Sequence, residues 1–269
     1  MNFGICSIIE KWYKKIGFPT RYDEDFYKAL SEIEVDPNSV VEDYDYNCQD
    51  GRKNFLSYLY FCERLESIYK EKGIGEDILL DTLSDFPRWL DTWTELHGGR
   101  LFLGELEWLS FHLTARLFKL GRLQFCMLPT QKDIPNTDIL AGDKIVDIHI
   151  PAAGPLLIPE CEKSLGMARA FFEEYFPEYD YRYFMCHSWL LDETLERLLK
   201  PDSNILAFRS LFKIVEKDES FAALHYTFRW KMKLEELADF VPKSSFAKAL
   251  KEHVLAGGKL YNGRGIIEK

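Results

Sequence analysis

The sequence predicts an α+β fold, in which a helical N-terminal region precedes a mixed β-sheet with flanking helices. Three observations predict it. Apolar residues recur at helical spacing through the N-terminal part of the chain. The period then changes from about 3.6 residues to about 2 near Leu123. Further on, two apolar segments typical of strands, 145–150 and 181–188, flank a helix that begins near Pro159.

Composition and charge narrow the function classes. The 269 residues are 46% hydrophobic and 15% aromatic, which excludes general disorder and is enough for one large domain or two modest ones. The net charge of −10 argues against a general binder of nucleic-acid phosphates, which needs a basic face. We therefore expect no nucleic-acid partner.

The segment 1–6 has no basic region of the kind that opens a signal peptide, and Glu10 and Lys11 soon interrupt its apolar residues. The chain has no uninterrupted apolar run of ~20 residues, the length that a membrane span requires. We therefore expect a cytoplasmic protein with no membrane partner.

The cysteines are widely spaced and never form a Cys-x-x-Cys pair, so no zinc ribbon or finger, and no other metal site, is predicted. In a cytoplasmic chain they are expected to be reduced thiols, most of them buried. They are Cys6, Cys48, Cys62, Cys126, Cys161 and Cys186.

Two helices are predicted in the N-terminal half. Apolar residues at helical spacing define the first, over 55–68, after an exposed loop at 41–53. Leucines that step by three or four define the second, over 106–120, and Gly121 is its expected C-cap. A strand at 123–128 and a proline-containing loop at 129–143 follow. We therefore expect a helical domain over 1–121 and a second domain over 122–269.

A strand–helix–strand unit lies between residues 145 and 188. A crossover helix makes its two strands parallel, so both carboxyl ends lie at the same edge of the sheet. His149 and His187 stand at those ends. Because ligands of open α/β sheets bind beyond that edge, this unit is the predicted location of the functional site.

The remaining residues predict a mixed sheet with one parallel step. A short helix at 193–199 and a turn at 201–204 are followed by two antiparallel strands, 206–216 and 221–230, joined by a turn at 217–219. In the second strand Tyr226 falls on the apolar face and is expected in the core. The last elements expected are a helix at 245–254 and a final strand.

This order of elements resembles the GNAT superfamily of N-acyltransferases. Several strings resemble, more specifically, a bacterial GNAT-like family in which a helical N-acyltransferase N-terminal domain precedes a GNAT-like C-terminal domain. They are 149–156 (HIPAAGPL), 186–192 (CHSWLLD), 201–205 (PDSNI), 120–125 (LGRLQF) and 255–258 (LAGG).

The resemblance implies transfer of an acyl group, expected to be acetyl, from acetyl-CoA or another acyl-CoA to a small-molecule amine. In GNAT enzymes pantetheine lies between two splayed strands, and N–H groups at the start of the next helix hold the pyrophosphate. By position, Ile150, Ala152, Ala153 and Gly154 would contact the acyl-CoA. The usual Arg or Gln followed by Gly-x-Gly or Gly-x-Ala is replaced here by the string 151–156 (PAAGPL).

His149 and His187 are the candidate general bases for the amine. For each, the alternative is a packing role with the ring bonded to a backbone carbonyl. For the protein, one alternative is a GNAT-shaped binding or interaction module that has lost CoA, because proline has no N–H to offer a phosphate. Another is a hydrolase with Cys186 as nucleophile, although adjacent strand residues point to opposite faces. Arg122 would meet an anion or the carbonyls of a helix end.

Overall fold

The computed structural model describes residues 3–32 and 50–269. The chain divides into two units, Met1–Leu120 and Gly121–Lys269. The first unit is mainly helical, and the helix at 55–68 predicted from the sequence is part of its third helix. Its elements are α1 (Phe3–Ile16), α2 (Asp23–Glu32), α3 (Gly51–Lys72), α4 (Glu76–Leu83), α5 (Phe86–Leu96), α6 (Leu106–Leu113) and the strand β1 (Leu117–Leu120).

Helix α3 is the long buried helix of this unit. It begins at Gly51 because the Asp50 carboxylate accepts the backbone N–H groups of Arg52 and Lys53, both at 3.1 Å. It ends at Gly73, whose φ of 74° is the left-handed conformation that glycine adopts without strain. Of the loop expected at 41–53, residues 51–53 are helical instead, and 41–49 lie outside the described residues.

The helix predicted over 106–120 is wrong in its second half. Helix α6 ends at Leu113, and Ala115 takes a positive φ of 51° that a continuing helix excludes. The chain then extends as β1, where Leu117 and Phe118 are both fully buried. A short apolar run buried on both sides has no distinctive period. The leucine spacing alone therefore predicted a helix where the chain forms a strand.

The second unit contains the remaining strands, and its central pair is joined by a helix. Its elements are β2 (Leu123–Pro129), β3 (Lys144–His149), α7 (Ile158–Tyr175), β4 (Tyr183–Ser188), α8 (Leu195–Leu198), α9 (Asn204–Arg209), β5 (Lys213–Glu219), α10 (Ala222–Thr227), α11 (Ser245–Leu255) and β6 (Tyr261–Glu268). Within the described residues of this unit the strands of the sheet lie in the order β2-β3-β4-β6-β5. Strands β3 and β4 are parallel, and every other pairing with a recorded register is antiparallel.

The two faces of this sheet are buried differently. On one face Phe184 and Cys186 are fully buried, and the guanidinium of Arg169 on α7 lies 5.4 Å from the centre of the Phe184 ring. The other face carries an apolar cluster beneath the loop 130–143. Its members are Ile134, Ile139, Ile145, Met185, Val215 and Ile266. The fold class predicted from the sequence, a helical region followed by a mixed sheet with flanking helices, is confirmed.

The hairpin predicted over 206–230 is wrong. Its first half is helix α9 followed by β5, and the partner of β5 is the final strand β6. Its second half is helix α10. Leu224 is buried in a second apolar cluster, together with Leu237 and Leu250, and Phe228 packs against that cluster. Leu224 and Phe228 are four residues apart, a spacing that places two residues on one face of a helix and also on one face of a strand. The spacing therefore did not distinguish the two structures.

No helix in the described part of the chain is both long and apolar enough to cross a membrane.

Candidate functional site at the carboxyl ends of β3 and β4

The ladder between the two parallel strands stops before the strands do. Strand β3 pairs with β4 at Val146–Phe184 and Asp147–Met185. Yet β2 pairs with β3 as far as His149, and β6 pairs with β4 as far as Ser188. Each strand is thus held by its outer neighbour beyond the point where the two cease to pair. We call the two segments 148–150 and 186–188 the strand gap.

His187 lies at this gap with a carboxylate partner. Its Nε2 is 2.6 Å from Oδ1 of Asp218, and its side chain is 31% exposed. Asp218 belongs to β5, and β6 runs between the two residues in the sheet. The contact fixes the orientation of the ring.

His149 has a second carboxylate partner. Its Nε2 lies 3.0 Å from Oδ2 of Asp147, two residues earlier on β3 and therefore on the same face. Since Asp147 pairs with Met185, the next positions on that face are His149 and His187. Both predicted histidines therefore lie on one face of the sheet beside the strand gap. Each ring lies against a carboxylate.

Two further polar side chains extend this face. Gln124 is paired with His149 and only 2% exposed, and its Nε2 makes no hydrogen bond to the described residues. Buried amides normally have a partner, so a ligand contact here would satisfy it. Arg264, paired with His187, donates to Glu216 at 3.0 Å. Sequence reasoning did not select Gln124, because its place between Leu123 and Phe125 in an alternating strand predicts an exposed side chain.

The loop 150–157 joins β3 to α7 and contains the predicted acyl-CoA contacts. Ala153 N–H donates to the carbonyl of Pro151 at 2.7 Å, and Gly154 has a positive φ of 69°, so the chain turns tightly. In the part of the chain that the structure describes, the N–H groups of Ala152, Gly154, Leu156 and Leu157 make no hydrogen bond. Unpaired N–H groups next to the start of a long helix form an anion-binding arrangement.

Arg122 lies against this loop. It donates from Nε to the carbonyl of Pro155 at 3.1 Å, from one terminal nitrogen to Pro151 at 3.0 Å and from the other to Gly154 at 3.2 Å. The carbonyls that Arg122 meets are therefore those of the loop, not those of a helix end.

The structure removes support from a thiol nucleophile. Cys186 is completely buried, and burial, with the nearby charge of Asp147, raises the pKa of its thiol well above the usual value. The hydroxyl of Ser188 accepts the backbone N–H of Leu190.

Tyr226, expected in the core, is 57% exposed on α10 and packs edge-on against Trp230. Its apolar register came from the wrong hairpin.

Among the described residues no group of three histidine, cysteine or acidic side chains is placed to hold a metal ion. The site therefore consists of a strand gap, two histidine–carboxylate pairs and a loop of unpaired N–H groups. A ladder that stops early between parallel strands, followed by an N–H-rich turn into a helix, is the arrangement that the resemblance to GNAT enzymes leads us to expect.

Comparison with known families identifies the chain more closely. Residues 117–267 match the GNAT-like C-terminal domain, and residues 12–115 match the N-acyltransferase N-terminal domain. The chain belongs to this family of GNAT-like proteins with an N-acyltransferase N-terminal domain. No curated protein matches it.

Solved structures of acyltransferases are similar in fold. One, in complex with decanoyl-CoA and teicoplanin, superposes with a TM-score of 0.78 at 20% identity, over 96% of this chain and 87% of that one. A mutant acyltransferase in complex with octanoyl-CoA gives 0.79 at 20% identity, with the same coverage. An acyltransferase in complex with decanoyl-CoA gives 0.78 at 22% identity, over 96% and 86%.

Proposed function

We propose that this protein transfers an acyl group from acyl-CoA to the amine of a small molecule. The observation that carries the proposal is the end of the β3–β4 ladder at Asp147 and Met185 beside a loop of unpaired N–H groups. A gap between two strands accepts an extended chain such as pantetheine, which can pair with the backbone as a strand does. The histidine pairs supply the acid–base groups next to it.

The acyl-CoA would lie along β3 and its loop. Pantetheine would run between the two segments of the strand gap, against Ile150, and the pyrophosphate would meet the loop. There the N–H groups of Ala152 and Gly154 are unpaired, whereas Ala153 uses its own N–H to form the turn. Ala153 therefore contributes to the shape of the loop, and its two neighbours contribute donors.

The chemistry requires a proton acceptor and an oxyanion site. His187, oriented by Asp218, removes a proton from the ammonium form of the acceptor, directly or through one water. The neutral amine attacks the thioester carbonyl, so a C–N bond forms and the oxygen becomes negative. The backbone N–H of Ile150, which precedes the loop donors assigned to the phosphates, stabilises that oxygen. Collapse of the intermediate breaks the C–S bond, and the departing thiolate takes up the proton that the attacking nitrogen loses as the amide forms.

His149 is the second candidate base, since it lies on the same face and also contacts a carboxylate. Separate replacement of each histidine by alanine assigns the role: the base is the residue whose loss lowers kcat for transfer at saturating acyl-CoA. The other variant is expected to change the KM of the acceptor or of the acyl-CoA more than it changes kcat.

The acyl group is the second unknown. Acetyl-CoA is the donor that the sequence predicts. Two of the similar structures hold octanoyl-CoA and decanoyl-CoA, which supports testing longer chains alongside it. The three thioesters therefore belong in one experiment, with free CoA as the reference for the part that they share.

The first test is binding by thermal shift with acetyl-, octanoyl- and decanoyl-CoA. A ligand at ~100 times its Kd stabilises the folded chain by about 2.7 kcal/mol, which shifts the melting temperature measurably. We expect a shift with at least one thioester, and release of free thiol when an amine panel is added. No shift at millimolar concentration with any thioester would overturn the proposal and favour a binding module that has lost CoA.

A further inference from the structure

Arg122 is held in place by helix α7. Its backbone N–H donates to the hydroxyl of Ser164 at 2.7 Å, and the N–H of Leu123 donates to the same oxygen at 3.2 Å. Ser164 is completely buried on α7. The preceding residue, Gly121, has a φ of 73°, and a Cβ there would lie 2.8 Å from that hydroxyl. The turn that presents Arg122 is therefore fixed to the helix that follows the loop 150–157.

The guanidinium determines how the peptides of that loop face. In a trans peptide the C=O and N–H point in opposite directions. Arg122 holds the carbonyls of Pro151 and Pro155 towards itself, so the N–H groups of Ala152 and Leu156 point away from it. Both of these N–H groups are unpaired in the described structure. Each of the two proline carbonyls thus orients the donor that follows it.

We propose that Arg122 is the positioning residue of the acyl-CoA phosphate site, acting through the loop rather than on the phosphate. The inference rests on the proposed function and adds to it a residue that determines how tightly the phosphates of acyl-CoA are bound. A loop with few glycines and two prolines has fewer donors to offer, so their orientation matters more. Arg122, which lies outside the loop, supplies that orientation through three hydrogen bonds, a number that only a guanidinium delivers from one side chain in a fixed fork.

The test compares a ligand that has phosphates with one that lacks them. Kd values are measured by calorimetry for acetyl-CoA and for acetyl-pantetheine, on the full chain and on Arg122→Ala. We expect the Kd for acetyl-CoA to rise at least about tenfold, while that for acetyl-pantetheine stays within about twofold of the unaltered chain. Arg197→Ala is the matched control, because it removes an exposed arginine of the same unit and is expected to change neither Kd.

Arg122→Lys is the second variant, since lysine keeps the charge but cannot bond three carbonyls in a plane. It is expected to weaken acetyl-CoA binding nearly as much as alanine does. It also serves as the test variant if Arg122→Ala does not fold. Equal weakening of both ligands, no weakening of either, or full acetyl-CoA affinity in Arg122→Lys would each overturn the inference. If the unaltered chain binds neither ligand, the proposed function fails instead.

Discussion

The two ends of the β3–β4 pair differ in how their polar groups are used. At the amino end the strands are paired and a cavity of about 210 Å³ opens beside Lys144 and Tyr183. There Asp138 accepts the hydroxyl of Tyr183 at 2.8 Å and also bonds the guanidinium of Arg182. At the carboxyl end the ladder has stopped, and polar groups face the resulting gap.

This comparison shows that a cavity alone does not identify the functional site. The hydrogen bond from Tyr183, with the charge of Arg182, holds the pKa of Asp138 below its usual range, so this carboxylate is a satisfied structural partner. The carboxyl end combines features that a ligand explains: an interrupted ladder, unpaired loop N–H groups and the buried Nε2 of Gln124. Substitutions at the carboxyl end should therefore change catalysis, and substitutions at the amino end should change stability.

Replacement of His187 by alanine is expected to have the largest effect. Loss of a general base typically costs about 10²- to 10⁴-fold, so kcat/KM for acyl transfer should fall within that range. The melting temperature should change little, because the side chain is partly exposed. Steady-state kinetics and a thermal melt measure the two quantities. Arg182→Ala, at the amino end, is the control and should leave turnover unaltered; a similar loss there would erase the distinction between the ends.

Replacement of Ile145 by alanine tests the packed end. Ile145 is 5% exposed in the apolar cluster with Met185 and Ile266. Removing its buried methyl groups should lower the free energy of unfolding by about 2–4 kcal/mol, and Ile145→Val by about 1 kcal/mol. Denaturant unfolding measures both. The KM for acyl-CoA should stay the same at a temperature where the variant is folded, and a large rise in KM would mean that both ends form the binding site.

The same contrast shows what the sequence could and could not predict. The strand–helix–strand unit was predictable because β-branched strands and a capped helix have strong local signals. Residues 145–150 and 181–188 therefore placed His149 and His187 correctly at one edge. The partner Asp218 was not predictable. Segment 217–219 looked like a turn, and only pairing with a strand more than forty residues later makes it part of β5.

The partners of Arg122 were not predictable for a related reason. The local sequence indicates a helix end before it, whereas its hydrogen bonds to the carbonyls of 151–155 depend on a contact across about thirty residues of sequence. Local pattern carries no record of such a contact. The unpaired Nε2 of Gln124 is likewise visible only once burial is known.

Asp218→Asn should have a smaller effect than loss of the histidine. The amide keeps the shape of the side chain but removes its charge, and pairs this exposed are worth about 1 kcal/mol. We expect kcat to fall about five- to tenfold, because the ring of His187 loses the carboxylate that orients it. Steady-state kinetics measures this change. Glu219→Gln, on the same strand but paired with Lys259, is the control. An unchanged kcat would show that Asp218 does not orient the base.

The smallest expected effect is at Cys186, next to His187 but on the opposite, buried face. Because burial raises the pKa of its thiol, it should stay unmodified by iodoacetamide at neutral pH, whereas the partly exposed Cys6 reacts. Mass spectrometry of the labelled chain distinguishes them, and Cys186→Ser should retain acyl transfer if it folds. Rapid labelling of Cys186 would mean that the strand gap is accessible from both faces of the sheet. It would again support Cys186 as a nucleophile. Its inertness would confine the chemistry to the face that carries both histidines.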